Sequence, residues 1–405
     1  MKKIALIIAV LAAVPMAIAA ADVKVTVTNS EDTQRQELVE IDAAAVKEAL
    51  GLAEGETFVV KNAVGQQEDY QLTHDGKLLV DVAVRPNGQA VLTISKGTPQ
   101  EPKVYVTGRQ YPERVDDIAW ENDRTAYRIY GPALQASGER AFGVDVWVKN
   151  TPDLEVEKRY ATELQNHHAI QELKEQGKAD EALALEQATT YHYDHGYGLD
   201  CYKVGPTLGG GAPALVVDGQ LLLPYCYKDY EILDNGPLRF TVHVTYNPIE
   251  VNGDKNVIEH RIISLDKGSN YNKVTVWYDN ITADVDVAAG MVLHQEDLES
   301  VVLRGDMVLY ADPTDNPQGQ NFQIYVGALF PDGVNETKKI MNAEVTGGNA
   351  GHAVGIATCK PGQRFTYYFG SAWSKNDVRT LSEWIVRSTG KLRAIKKPLT
   401  VSLEF

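Results

Sequence analysis

The chain has 405 residues, a formal net charge of −16 and an ordinary apolar content of 44%. That acidity disfavours nucleic acid and anionic membrane surfaces, both of which reward basic patches. The length exceeds a usual single core and implies two domains or one large sandwich.

Residues 1–19 have the three parts of an export leader: Lys2 and Lys3, an apolar run from Ile4 to Val14, and the small-residue signal Ala17-Ile18-Ala19. The run is too short to span a bilayer, and no cysteine follows it to take a lipid. The expectation is a secreted, soluble protein, periplasmic in a Gram-negative host, with no membrane insertion. Three cysteines, Cys201, Cys226 and Cys359, are few for a disulfide scaffold. A Cys201–Cys226 bridge is one option, and buried thiols acting as small hydrophobes are the favoured one.

Residues 20–103 read as a small β-sandwich module. VKVTVT alternates as a strand does, IDAAAVKEALG is helical, and TFVVKNA, YQLTHDGKLLVDVAV and QAVLTIS are strands turning at His74-Asp75-Gly76 and Pro86-Asn87-Gly88. The polar stretch KGTPQEPK closes the module. Residues 104–405 read as a large antiparallel β domain, because so many long alternating strands need two packed sheets. A helical insertion at 153–187 interrupts it, with Gly177 between two helices. Another helix is expected in VRTLSEWIVRSTGKL near the end, followed by a last strand, KPLTVSLEF.

Two stretches carry chemistry. In ERVDDIAWENDRTAYRIYGPAL, residues 113–134, Trp120, Glu121, Asp123, Arg124 and Arg128 crowd together. On one strand Arg124 and Arg128 would share a face. Two arginines on one sheet face need either an anionic ligand or local carboxylates. In YHYDHGYGLDCYKVGPTLGGG, residues 191–211, His192, Tyr193, Asp194, His195, Tyr197, Asp200 and Lys203 lie among glycines that permit backbone approach or positive φ.

Imidazole titrates near neutrality and suits a general base, as does a tyrosine for donating to a leaving oxygen. His192, Tyr193, Asp194 and His195 are therefore the catalytic candidates. Trp120, Glu121, Asp123, Arg124, Arg128, Tyr197, Asp200 and Lys203 are the substrate-binding candidates. The H-x-D-H pattern also admits a divalent metal ion, with His260, His294 or His352 as a distant further ligand. No cofactor is otherwise implied. The five tryptophans and 20 tyrosines suit stacking on an oligosaccharide or polysaccharide as well as an apolar core.

AWENDRTAYRIYGPAL and YHYDHGYGLDCYKVGPTLGGGAPAL resemble a family of exported proteins of about this length, common in gut and marine Bacteroidetes and known as a domain of unknown function. The resemblance covers nearly the whole chain after the leader. It implies a place among polysaccharide-utilisation genes, notably those for uronic-acid-rich glycans such as pectin. EHRIISLDKGSNYNKVTVWYDN is similar, more weakly, to the β super-sandwich of galactose mutarotases and several polysaccharide lyases. The resemblance implies that super-sandwich fold and action on uronic-acid oligosaccharides by β-elimination or related chemistry. Two-carboxylate hydrolysis, a mutarotase-like epimerase and a non-catalytic glycan-binding protein are the alternatives.

Overall fold

The computed structural model describes residues 22–295, 299–314 and 321–405. The expected leader at 1–19 lies outside them. The chain is mostly β and is built from antiparallel sheets. No helix among the described residues is long and apolar enough to cross a membrane.

The large domain is a sandwich with one broad layer and one divided layer. The broad layer is a nine-stranded sheet that includes Arg239–Tyr246, Asp254–Asp266, Tyr271–Asp279 and Phe365–Trp373. Strand alternation sets its two faces. Phe240, Val242, Val244 and Tyr246 point inward, while His243 and Thr245 point out. Facing it are two five-stranded sheets, and all three share one buried apolar cluster that includes Phe240, Val274, Tyr127, Val146, Val287 and Val354.

The glycine run at 209–211 stitches the divided layer together. Gly210 N–H donates to the Val144 carbonyl at 2.7 Å, and Val292 N–H donates to the Gly209 carbonyl at 2.9 Å. Gly209 has φ +58°, and a Cβ there would meet the Val144 oxygen at 2.1 Å. A Cβ on Gly211 would lie 2.3 Å from the Phe369 ring. These glycines serve a seam between sheets and not a ligand.

The first of the facing sheets is a meander of Thr107–Tyr111, Asp117–Glu121, Thr125–Ile129, Asp145–Lys149 and Gly198–Asp200. The helical insertion, Val156–Glu175 and Ala179–Thr189, joins its last two strands. Gly177, at φ +73°, turns between the helices. Val156 and Tyr160 pack with Tyr111, Ala126, Trp147 and Tyr191 over the sheet face that the sandwich leaves uncovered. Both faces of this sheet are thus buried.

The N-terminal module packs a five-stranded sheet on a three-stranded one. Its edge strand comes from the far end of the chain. Thr400–Glu404, which the sequence reading placed with the large sandwich, pairs antiparallel with Val23–Asn29. Leu399, Val401 and Leu403 supply apolar cover to the module's core, so the burial available there outweighs sequence proximity. Gln71 joins the module to the sandwich, accepting from the Leu238 and Arg239 N–H groups at 2.8 and 2.7 Å. The strand Glu336–Thr346, absent from the sequence reading, lies at a sheet edge and is largely exposed. An edge strand with both faces wet carries no apolar alternation to read.

The helix Leu381–Lys396 covers part of the broad sheet's outer face. Trp384 stacks on Tyr271 with ring centroids 5.1 Å apart. Side chains close its start: Thr380 Oγ1, at the N-cap, accepts from Glu383 N–H at 3.2 Å, and the Glu383 carboxylate accepts from the N–H of Arg379, one residue before the cap, at 2.6 Å. Thr380→Ala is expected to lower folding stability by about 1 kcal/mol, read from the urea midpoint at unchanged slope. An unchanged midpoint would mean that another group serves the Glu383 N–H.

Candidate functional site

Every residue of the strands DIAWE, TAYRI and DVWVK is buried, yet these strands hold five charged side chains. Their charges answer one another beneath the insertion. Arg128 is paired in register with Asp145. Its Nη2 donates to Asp145 Oδ2 at 2.5 Å and to Asp200 Oδ2 at 3.1 Å, and its Nη1 lies 3.6 Å from Asp117 Oδ2. Trp147 Nε1 donates to Asp145 at 2.9 Å, Tyr160 OH to Asp117 at 3.1 Å, and Arg114 Nη2 to the Tyr191 hydroxyl at 2.5 Å.

Three carboxylates around one guanidinium, removed from water, cannot all hold their charge easily. Burial pushes Asp117 up to about 6, against the pull of Arg128 and Arg114. Burial and the neighbouring Asp145 charge push Asp200 up to about 6, against the pull of Arg128.

Asp200 and Arg128 open onto a cleft of about 690 Å3. His192, Tyr193, Asp194, Lys203, Tyr130, Tyr202, Glu139, Arg140, Phe322 and Lys375 also line it. His192 is exposed, and its Nδ1 lies 3.0 Å from the Asp200 carbonyl and 3.7 Å from Asp200 Oδ2. A carbonyl only accepts, so Nδ1 carries the proton and Nε2 is the basic nitrogen of the neutral ring. Asp194 caps the loop: Oδ1 accepts from Gly196 and Gly198 N–H at 2.9 and 3.0 Å, and Oδ2 pairs with Lys375. Burial would raise the Asp194 carboxyl, but Lys375 and those two N–H groups hold it below its ordinary value.

Arg140 and Lys203 are exposed on the cleft wall. Neither has an ion-pair partner among the described residues, whereas Lys375 and Arg128 are engaged.

The cleft therefore gathers His192, Tyr193, Asp194, Asp200, Lys203 and Arg128 from the sequence candidates. The others stand elsewhere. Trp120 is fully buried in the sandwich, where its Nε1 donates to Asn272 Oδ1 at 2.8 Å, so it offers no sugar platform. Glu121 is buried in an ion pair with Lys149, and its Oε1 accepts from Val156 N–H at 2.6 Å, capping the insertion's first helix. Asp123 accepts from Gly268 N–H at 2.6 Å in a turn.

Arg124 does not share a strand face with Arg128. It sits in the hairpin turn fixed by Asn122 and bonds Asp377 at 2.6 Å, outside this cleft. His195 donates from Nε2 to the Thr190 carbonyl at 2.8 Å, on the exposed side of the loop. Tyr197 lies beside it, under Lys158 and Arg159.

The H-x-D-H residues consequently do not converge, because each is bound to a different local group. Nor do the proposed distant ligands join them. His294 lies between Asp312 and the Lys203 carbonyl, both at 2.6 Å. His352 accepts from Leu208 N–H at 3.3 Å, and His260 stacks on Trp277 at the outer face of the broad sheet. Among the described residues no three His, Cys, Asp or Glu side chains are grouped to hold a metal ion. The three cysteines are buried free thiols, so Cys201 and Cys226 form no bridge.

Sequence reasoning missed Tyr130, Glu139, Arg140, Phe322 and Lys375 as lining residues. It also missed Asp117 and Asp145 as Arg128's partners. A lone Asp opening the apolar strand DVWVK, antiparallel to a strand with a lone Arg, was the available signal for the pair. Lys375 and Phe322 come from loops that carry no local pattern.

Of the curated relatives, a protein from Formosa agariphila called Uncharacterized protein P7 is 28% identical over 288 residues, 67% of this chain and 66% of that protein. The chain thus spans just under two thirds of that relative's length. Among solved structures, an α-mannosidase from Enterococcus faecalis V583 aligns with TM-score 0.48 and 9% identity over 95% of this chain and 46% of its own. A glycosyl hydrolase family 38 protein from Enterococcus faecalis aligns with TM-score 0.49 and 8% identity over 95% of this chain and 47% of its own. The chain spans about half of each. Residues 27–401 match the family model described as Domain of unknown function (DUF4861), and the chain belongs to that family.

Proposed function

We propose that the cleft binds oligosaccharides containing uronic acid and cleaves them by β-elimination. The observation that carries this reading is that one hollow is lined by a base, a hydroxyl donor and two cations with no ion-pair partner among the described residues: His192, Tyr193, Arg140 and Lys203. A volume of about 690 Å3 falls within the usual range for a small-molecule site. Arg140 and Lys203 take the C6 carboxylate, which acidifies C5. His192 Nε2 removes the C5 proton as the C4–O bond breaks, and a C4–C5 double bond forms. The Tyr193 hydroxyl protonates the departing oxygen, so charge and protons balance. Asp200 holds His192 through its carbonyl and stabilises the imidazolium through its carboxylate. We place the protein outside the cytoplasm, in the periplasm, on the strength of residues 1–19.

The exposed ring of Phe322 at the cleft, 53% accessible, favours a second reading, glycan binding without turnover, because sugars stack on such rings. Incubation with pectin-derived and other uronic oligosaccharides separates the two. Elimination is expected to release an unsaturated product seen by its ultraviolet absorbance. Saturable binding with no such product would move the assignment to a binding protein. No binding at all would remove both.

A further inference from the structure

Arg124, left without a role by the first cleft, lines another one. This hollow, about 860 Å3, lies between the N-terminal module, the 266–271 turn and the C-terminal helix. In a chain of net charge −16, its wall gathers Arg35, Arg124, Lys267, Arg387, Lys391 and Arg393. The nearby carboxylates are already committed. Glu37 is taken by Arg35, Asp266 by Arg239 and Glu31 by Lys397, while Lys267 uses Asp81 outside the wall.

Two guanidiniums, Arg124 and Arg387, share the single Asp377 oxygen Oδ2. The Arg124 Nε is buried with no hydrogen-bond partner among the described residues. Lys391 and Arg393 have no ion-pair partner among those residues either. Cation therefore exceeds carboxylate at this wall, and one buried donor is unused, an arrangement that costs free energy unless an anion meets it.

Two further observations concern the helix. Arg387 and Lys391 are four residues apart and so share one face, and Gly390 lies beside them. Nothing stands within 4 Å of where a Gly390 Cβ would be. Packing does not demand glycine there, and a glycine inside a helix weakens it, but it keeps the cleft wall open. Burial, with the nearby Arg239 and Arg35 charges, lowers the Lys391 ammonium despite the pull of Asp266 and Glu37. An incoming oxyanion would relieve that.

We infer that this cleft is a second anion-binding site between the two modules, taking carboxylate or sulfate groups; that an acidic saccharide carries them rests on the function proposed above. Arg124, Arg387 and Lys391 would be the direct donors, since guanidinium matches a planar or tetrahedral oxyanion in two-pronged fashion. The site is separate from the His192 cleft, and its occupant need not be cleaved.

Calorimetric titration of the full chain with an oligogalacturonide and, separately, with a sulfated disaccharide tests this. Lys391→Met keeps the aliphatic stem and breaks no ion pair among the described residues. Gly390→Gln favours the helix and fills the opening. Each is expected to weaken binding of the preferred probe by about tenfold, with the unfolding temperature unchanged or raised. Binding is also expected to weaken as salt rises. The probe that binds distinguishes carboxylate from sulfate. Affinity for both probes unchanged in both variants would overturn the site, as would an absence of binding to the wild-type chain. Lys203→Met in the first cleft is expected to leave this binding in place, and Lys391→Met is expected to leave the rate of unsaturated product formation unchanged, so failure of the elimination reading and failure of this one are separable.

Discussion

Replacing Arg128 by methionine is expected to cost about 3–5 kcal/mol of folding stability near neutral pH, the range for removing one partner from a buried ionic cluster. Asp117, Asp145 and Asp200 are each 3% exposed or less and would be left facing one another without a cation. The pH dependence carries the sign of the argument. In the folded wild-type protein Asp117 and Asp200 titrate near 6, above the ordinary carboxyl value of 3.8. Between those values the folded state holds more protons than the unfolded chain. Their contribution to stability therefore improves as pH falls through about 6 and is complete only below about 4. Without Arg128 the same carboxyls are pushed higher still, so protonation repairs more of the damage. The deficit from urea unfolding is expected to be smaller at about pH 5 than at about pH 7, and Arg128→Lys is expected to fall between wild type and Arg128→Met. A deficit under about 1 kcal/mol, or one independent of pH, would mean that solvent and not Arg128 balances these carboxylates.

The same cluster explains which parts of the molecule were legible in the sequence. The broad sheet is covered by the sandwich on one face and mostly open on the other, so Phe240, Val242, Val244 and Tyr246 alternate with polar neighbours and read as a strand at sight. Turns were equally plain where chemistry dictates them. Asp218 and Gly219 both take positive φ, and Asp42 caps the helix Ala43–Ala49 through the Ala44 and Ala45 N–H groups. The meander is covered on both faces, which removes the usual link between charge and solvent. There Glu121 and Arg128 looked like ligand contacts because a charged residue on a strand normally faces water or a partner. What satisfies them is a helical insertion whose docking no local pattern announces.

The loop at 191–211 divides similarly. Its density of titratable groups did point to a cleft. His192 and Asp200 reach it, but His195 turns outward to the Thr190 carbonyl and Asp194 is spent on capping the loop. Whether adjacent side chains converge depends on φ at Gly196 and Gly198, both in the left-handed region at +100° and +105°, and glycine leaves that choice open. Two of the cleft's cations, Arg140 and Lys375, arrive from separate loops and are visible only once the chain is folded.

His192→Ala is the substitution that separates chemistry from binding at this cleft. The Nδ1–H bond to the Asp200 carbonyl fixes the tautomer, and the ring can take a proton at Nε2 while the carboxylate 3.7 Å away stabilises the cation formed. Removing a positioned base of this kind costs about a hundred- to ten-thousand-fold in rate. Under the elimination proposed above, the rate of unsaturated product formation is expected to fall by that factor, while oligosaccharide affinity at the cleft changes by less than about threefold. His195→Ala removes a ring tied to the Thr190 carbonyl outside the hollow, and is expected to keep the rate within about twofold of wild type, as a surface change does. Asp200→Asn keeps the backbone carbonyl that orients His192 but loses the carboxylate, so its rate is expected to lie between those of wild type and His192→Ala. Equal losses in the two histidine variants would point to the loop's fold and not to a base. A normal rate in His192→Ala would require the proton to leave C5 by another route, and Tyr193, on the same cleft wall, would be the residue to replace next.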